Sequence, residues 1–184
     1  MPVQIGASTH NFSNPTGLLS DCHRRVEMFM GALESVAAVC DKPVTAQARH
    51  SLDLALRYFR EAAPKHTADE EESLFPVLRS IDDAALKAAL GRLDALEADH
   101  RWAEPLHAEV DSVGLAYLQS GHLDRDQASR FKNAVRQLAE MYRRHIEVED
   151  SQVFPAASRV LNEEQKKQIA SEMAARRSVK VVSL

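Results

Sequence analysis

Two stretches of the chain repeat one arrangement of side chains able to bind a cation. His66 is followed at i+4 by Glu70, then by Glu71 and Phe75-Pro76; His145 is followed by Glu149, Asp150 and Phe154-Pro155 at the same offsets. His23 precedes His66 by nearly the interval at which His100 precedes His145, so the chain reads as two helical hairpins of similar build. Residues i and i+4 on an α-helix differ by about 40° in azimuth and about 6 Å in rise, so a histidine and a carboxylate so spaced face one way. Such a pair can bind one metal ion, or the carboxylate can reach to a second.

His66 and Glu70 fall near the middle of an apolar stripe, as do His145 and Glu149, with His100 in register on its own helix and His23 nearer an edge. A carboxylate buried in a helical core costs several kcal/mol unless something compensates its charge. Two divalent cations would compensate Glu70 and Glu149 directly. Imidazole and carboxylate without thiolate suit iron, manganese or zinc. Four imidazoles and two bridging carboxylates supply fewer bonds than two six-coordinate ions take. The site therefore keeps open positions for an oxo or hydroxo bridge and for a small ligand such as dioxygen, nitric oxide or peroxide.

Those residues need long helices to position them. The 3.6-residue periodicity predicts helices over residues 16–40, 45–73, 82–119 and 124–150, with a short fifth over 162–176 starting at an Asn162 N-cap. Pro64 and Pro105 are expected to kink or interrupt the second and third, and Pro76 to close the second. Four long helices with short loops predict an all-α, antiparallel up-down bundle over residues 16–156. It comes after an N-terminal segment, 1–15, and precedes a C-terminal helix and tail, 157–184, that frays from Ser178.

Composition agrees with this reading. The 184 residues include 45% hydrophobic and 27% charged side chains but only 6 glycines and 7 prolines, which favours helices over a turn-rich β fold. A net charge of -4 leaves no basic footprint for nucleic acid. No apolar run approaches the ~18 residues of a membrane-spanning helix, and residues 1–14 lack the apolar core of a signal peptide. Cys22 and Cys40, on one predicted helix, stand roughly 27 Å apart, too far to bridge, which points to a reducing, cytoplasmic setting.

Other side chains have smaller expected roles. Glu27 repeats the histidine-to-carboxylate spacing but falls off the stripe and reads as solvated or as a partner of a ligand. Glu104 and His107 are candidates for an additional ligand or a supporting contact. Tyr142, one turn before His145, reads as packing whose hydroxyl can donate to a bound oxygen. Cys22 reads as a small buried residue and Trp102 as packing at a helix interface. Asp69, Glu71 and Glu72 read as a solvated acidic face, and His10, His50 and His122 as surface residues. A regular helix favours Glu149 over Asp150 as the second bridging carboxylate; a π-bulge would transfer that role to Asp150.

The set His23, His66, Glu70, His100, His145 and Glu149, in this order and spacing, resembles the hemerythrin-like, HHE cation-binding family. The resemblance covers about residues 16–156. It implies a four-helix bundle holding a non-haem di-iron centre, with those positions as ligands and the two glutamates bridging. It also implies a protein handling dioxygen, nitric oxide, peroxide or iron itself. Oxygen carriers of the family place a fifth histidine where this chain has Glu104, which brings the chain closer to iron–sulfur repair and sensor-type relatives with four histidines and two glutamates. Repair proteins usually carry an N-terminal cysteine, absent from residues 1–15. The residues thus admit three readings: a di-iron protein binding a small ligand for sensing, storage or stress defence; a di-iron enzyme (peroxidase-like, catalase-like or nitric-oxide-reducing) or iron–sulfur repair factor; and a metal-stabilised helical interaction module.

Overall fold

The computed structural model describes residues 10–179, whose regular elements are all helical, with no strand among them. The elements are α1 (Pro15–Ala37), α2 (Ala46–Glu61), α3 (Ala63–Asp69), α4 (Phe75–Arg79), α5 (Lys87–Ser120), α6 (Arg125–Val148), α7 (Phe154–Val160) and α8 (Glu163–Arg176). A π-helical turn, Glu70–Leu74, joins α3 to α4; a second, Glu149–Val153, joins α6 to α7; a 3-10 turn, Ala84–Leu86, leads into α5. The expected polar N-terminal segment as far as residue 9, and residues 180–184 of the tail, lie outside the described residues.

Local chemistry explains the boundaries. Pro15 opens α1, where its missing N–H costs nothing, and the Asn14 side chain accepts from the Gly17 amide. Thr45 caps α2 through the Ala48 amide. Asn162 caps α8 in a capping box with Gln165, as expected. Gly121 leaves α5 at φ 77°, a left-handed conformation that favours glycine.

The prolines meet expectation only in part. The break near Pro64 falls at Ala62, between α2 and α3. Pro76 closes nothing: it occupies the first turn of α4, a position with no amide bond to lose. Pro155 likewise sits in the first turn of α7. Pro105 stands inside α5 without ending it. The tail at Ser178 is not frayed where it is described. Ser178 (φ 54°) donates to the Ala175 carbonyl and Val179 to the Ala174 carbonyl, both at 3.0 Å, which is a Schellman ending for α8.

The chain forms two compact units, and α1, α3, α5 and α6 contribute residues to both. The first comprises residues 10–25, 64–97 and 145–179. Its core joins Leu19, Leu74, Phe75, Leu78, Leu93, Val153, Phe154, Ile169 and Met173, all nearly or wholly buried. The second comprises residues 26–63 and 98–144, with Phe29, Leu33, Leu52, Leu56, Val113, Tyr117, Phe131 and Leu138 buried. Trp102 in this unit does not pack as expected: it is 46% exposed. It lies about 200° around α5 from half-buried His100, on the outward side beside Arg136, Arg143 and Arg144.

Candidate metal centre

Five predicted ligands meet in the first unit. His23 from α1, His66 from α3, Glu70, His145 from the end of α6 and Glu149 are all buried, and both glutamates are fully so. One ligand atom from each of His23, His66, Glu70 and Glu149 lies within 4.8 Å of all the others. Each i, i+4 pair closes as its spacing requires: His66 Nε2 is 3.2 Å from Glu70 Oε1, and His145 Nε2 is 3.2 Å from Glu149 Oε2. His23 Nε2 spans the pair, 3.1 Å from Glu149 Oε2 and 3.9 Å from Glu70 Oε1. The ring of His23 stacks on Phe154 and meets His66 edge-on, at centroid distances of 5.2 Å and 4.9 Å. Phe154, from the repeated Phe-Pro, thus forms one wall of the cluster.

Both π turns begin at the carboxylates themselves, Glu70 and Glu149. The helical spacing from histidine to glutamate is therefore intact, and the wide turn redirects only the residues after the carboxylate. This corrects the expected consequence of a π-bulge: Glu149 keeps its place against the histidines. Asp150 instead turns to the far side of His23, its Oδ1 2.9 Å from Nδ1. Ser20 Oγ donates to the same oxygen at 2.9 Å, and Arg24 Nη2 to Oδ2 at 2.5 Å. With Nδ1 engaged, Nε2 is the nitrogen left facing the glutamates, which is the usual support for a metal-binding histidine.

The electrostatics are those of two carboxylates buried side by side. Burial and the neighbouring charge of Glu149 raise the Glu70 carboxyl well above its ordinary value. Burial acts the same way on Glu149, but His145 and His23 outweigh it and hold that carboxyl low. Burial would depress His23; contacts with Asp150 and Glu149 overcome it and push the imidazole up to about 9. Partial burial opposes ionisation of Asp150, and His23, Ser20 and Arg24 more than offset it. Neither oxygen of buried Glu149 receives a hydrogen bond of ordinary geometry among the described residues. A buried carboxylate approached only by imidazole nitrogens, none in ordinary hydrogen-bond geometry, suits a divalent cation. The residues present fit the group.

His100 is half-buried on α5, in the second unit. Glu104 and Glu27 are exposed. His107 is half-buried, its Nε2 2.8 Å from the Tyr142 hydroxyl and its ring 4.9 Å from Phe59; burial lowers its pKa to about 4. Cys22 and Cys40 are free, buried thiols whose pKa burial raises.

One expectation is reversed. Asp69 is fully buried rather than solvated, and Arg176 and Arg177 close on it from the end of α8. Nothing in the acidic run 69–72 distinguishes that carboxylate locally. Its partner lies 107 residues away along the chain.

A buried histidine–carboxylate cluster on helices defines a metal-binding helical protein. The hemerythrin HHE cation-binding domain model matches residues 14–157, and the chain belongs to that family. An uncharacterized protein of Haemophilus influenzae is 27% identical over 171 residues, covering 92% of this chain and 93% of the relative.

Proposed function

We propose that this protein holds a dinuclear iron centre, with His23, His66, His100 and His145 as terminal ligands and Glu70 and Glu149 bridging, on an up-down four-helix bundle in the cytoplasm. Its partner is a small ligand, dioxygen, nitric oxide or peroxide, bound for sensing, storage or stress defence. The observation that carries the reading is the buried cluster of His23, His66, Glu70 and Glu149 within 4.8 Å, with neither oxygen of Glu149 in a hydrogen bond of ordinary geometry. Bound iron would supply redox-active coordination with positions open to such a ligand. The chain's own residues provide the rest. Asp150 orients His23, Phe154 and the leucine-rich core exclude water, and Glu149 carries the charge that a cation neutralises. The exposed position of Glu104 gives no support to a role for it at the centre.

The test is aerobic purification after iron loading, metal analysis by mass spectrometry and an absorption spectrum before and after nitric oxide. About two irons per chain, near-ultraviolet oxo-bridge bands and a nitric-oxide-dependent change support the reading. Retention of zinc or manganese in place of iron, or iron whose spectrum no small ligand perturbs, overturns it.

A further inference from the structure

The first unit buries a second carboxylate one residue before Glu70 and brings two consecutive guanidinium groups to it. Arg176 Nη1 donates to Asp69 Oδ1 at 3.0 Å and to Ser73 Oγ at 2.9 Å, while its Nη2 donates to Glu72 Oε2 at 3.0 Å. Arg177 Nη2 donates to Asp69 Oδ2 at 2.5 Å. One guanidinium therefore grips two side chains of the turn that starts at Glu70 and the Asp69 carboxylate just before it, and the other completes the pairing of Asp69. The Schellman ending at Ser178 fixes the backbone that carries both arginines. Ile169 and Met173 of α8 share a core with Leu74, Phe75 and Leu78, so docking of the helix and grip of the arginines bear on one segment.

The segment they hold is a π turn, rarer than an α turn and often found at functional sites. In the second arm of the repeat Val148 stands where Asp69 stands in the first, so that arm offers no charge for an arginine to grip. α8 also lies beyond residues 14–157, the span matched by the family domain. A fully buried carboxylate costs several kcal/mol unless paired, so its placement beside Glu70 calls for a role that a leucine would not fill.

We propose that Arg176 and Arg177, acting on Asp69, are positioning residues of the metal centre: α8 clamps the wide turn so that the Glu70 carboxylate stays directed at His23 and His66. This rests on the metal-binding reading above. Full-length protein is titrated with cobalt(II) against a competing chelator, with the cobalt absorption bands recorded alongside circular dichroism and melting of the metal-free form. Arg176→Ala and Arg177→Ala are expected to weaken cobalt binding by up to about 10-fold, the low end of the range for groups bonded directly to metal ligands because they act one contact further out, and to shift the bands at temperatures where the metal-free protein is folded. Arg176→Lys and Arg177→Lys recover part of the loss. Arg79→Ala, which removes exposed pairs with Asp94 and Glu97 in the same unit, leaves binding unchanged.

Folded alanine variants with wild-type affinity and bands, and only a lowered melting temperature, overturn the proposal. Should an alanine variant not fold, Asp69→Asn, which keeps both guanidiniums and the side-chain shape, is read by the same criteria. Glu70→Gln separates the two readings. If it too binds cobalt like wild type, metal binding by this cluster fails; if it loses cobalt while the arginine variants do not, only the clamp fails.

Discussion

At the scale of single residues, the histidine–glutamate pairs and the carboxylate behind His23 do different work. Glu70 and Glu149 face the cluster; Asp150 faces away from it and holds Nδ1 of His23. Removing an outer partner of this kind typically costs 10–100-fold in metal affinity. Asp150→Ala is therefore expected to weaken metal binding by about that factor, while Asp150→Asn, whose amide oxygen still accepts from Nδ1–H, recovers most of it. A ligand role for Asp150 would make the two variants equally poor, so chelator competition on both decides between them. His66→Ala and His145→Ala are expected to lose metal, whereas exposed His122→Ala keeps the wild-type content; equal content in all three by mass spectrometry would falsify the ligand assignment.

At the scale of elements, the two π turns are the structural signature of the repeat. Each starts at a carboxylate and ends before a Phe-Pro whose proline opens the next helix. The wide turn leaves the i, i+4 geometry upstream untouched and swings the following residues round, which carries Asp150 to His23 and lets Ser73 meet Arg176. The capping box of α8 holds the other end of the helix that bears Arg176. Asn162→Ala removes the side-chain acceptor of the Gln165 amide and is expected to cost about 1 kcal/mol in urea unfolding. No change in the midpoint would mean that the start of α8 contributes nothing to the cooperative unit.

At the scale of the whole molecule, metal and proton both bear on stability. A cation that binds only the folded chain adds about 4 kcal/mol at a thousandfold excess over its dissociation constant, so stripping the metal is expected to lower the melting temperature by roughly 10 °C. Calorimetry before and after chelation checks this; coincident melts contradict it. His107, with a pKa near 4 in the fold against an ordinary 6.5, gives a second handle. Between pH 6.5 and 4 the unfolded chain takes up a proton that the folded chain refuses. Stability from this residue therefore falls as pH drops through that window, by at most about 3 kcal/mol. His107→Gln is expected to flatten the acid limb of the unfolding profile, and an unchanged slope would remove His107 as its source.

The sequence by itself determined the helices, the ligand candidates and the family resemblance, because each of these rests on short-range periodicity. The i, i+4 spacing of His66–Glu70 and His145–Glu149 needs only a regular turn to become a contact, and Asn162 marks a helix start by its own chemistry. Proline was half legible: its effect depends on whether it meets the first turn of a helix, as Pro76 does, or an interior, as Pro105 does. Burial and partner choice were decided only by the tertiary structure. Asp69 and Glu72 are near-identical neighbours in sequence, yet one is fully buried beneath two arginines and the other is exposed. Asp150 lies 127 residues from the imidazole it orients. No local pattern encodes such pairings, since they arise from where distant helices pack, and a carboxylate's chemistry depends on the groups that packing brings to it.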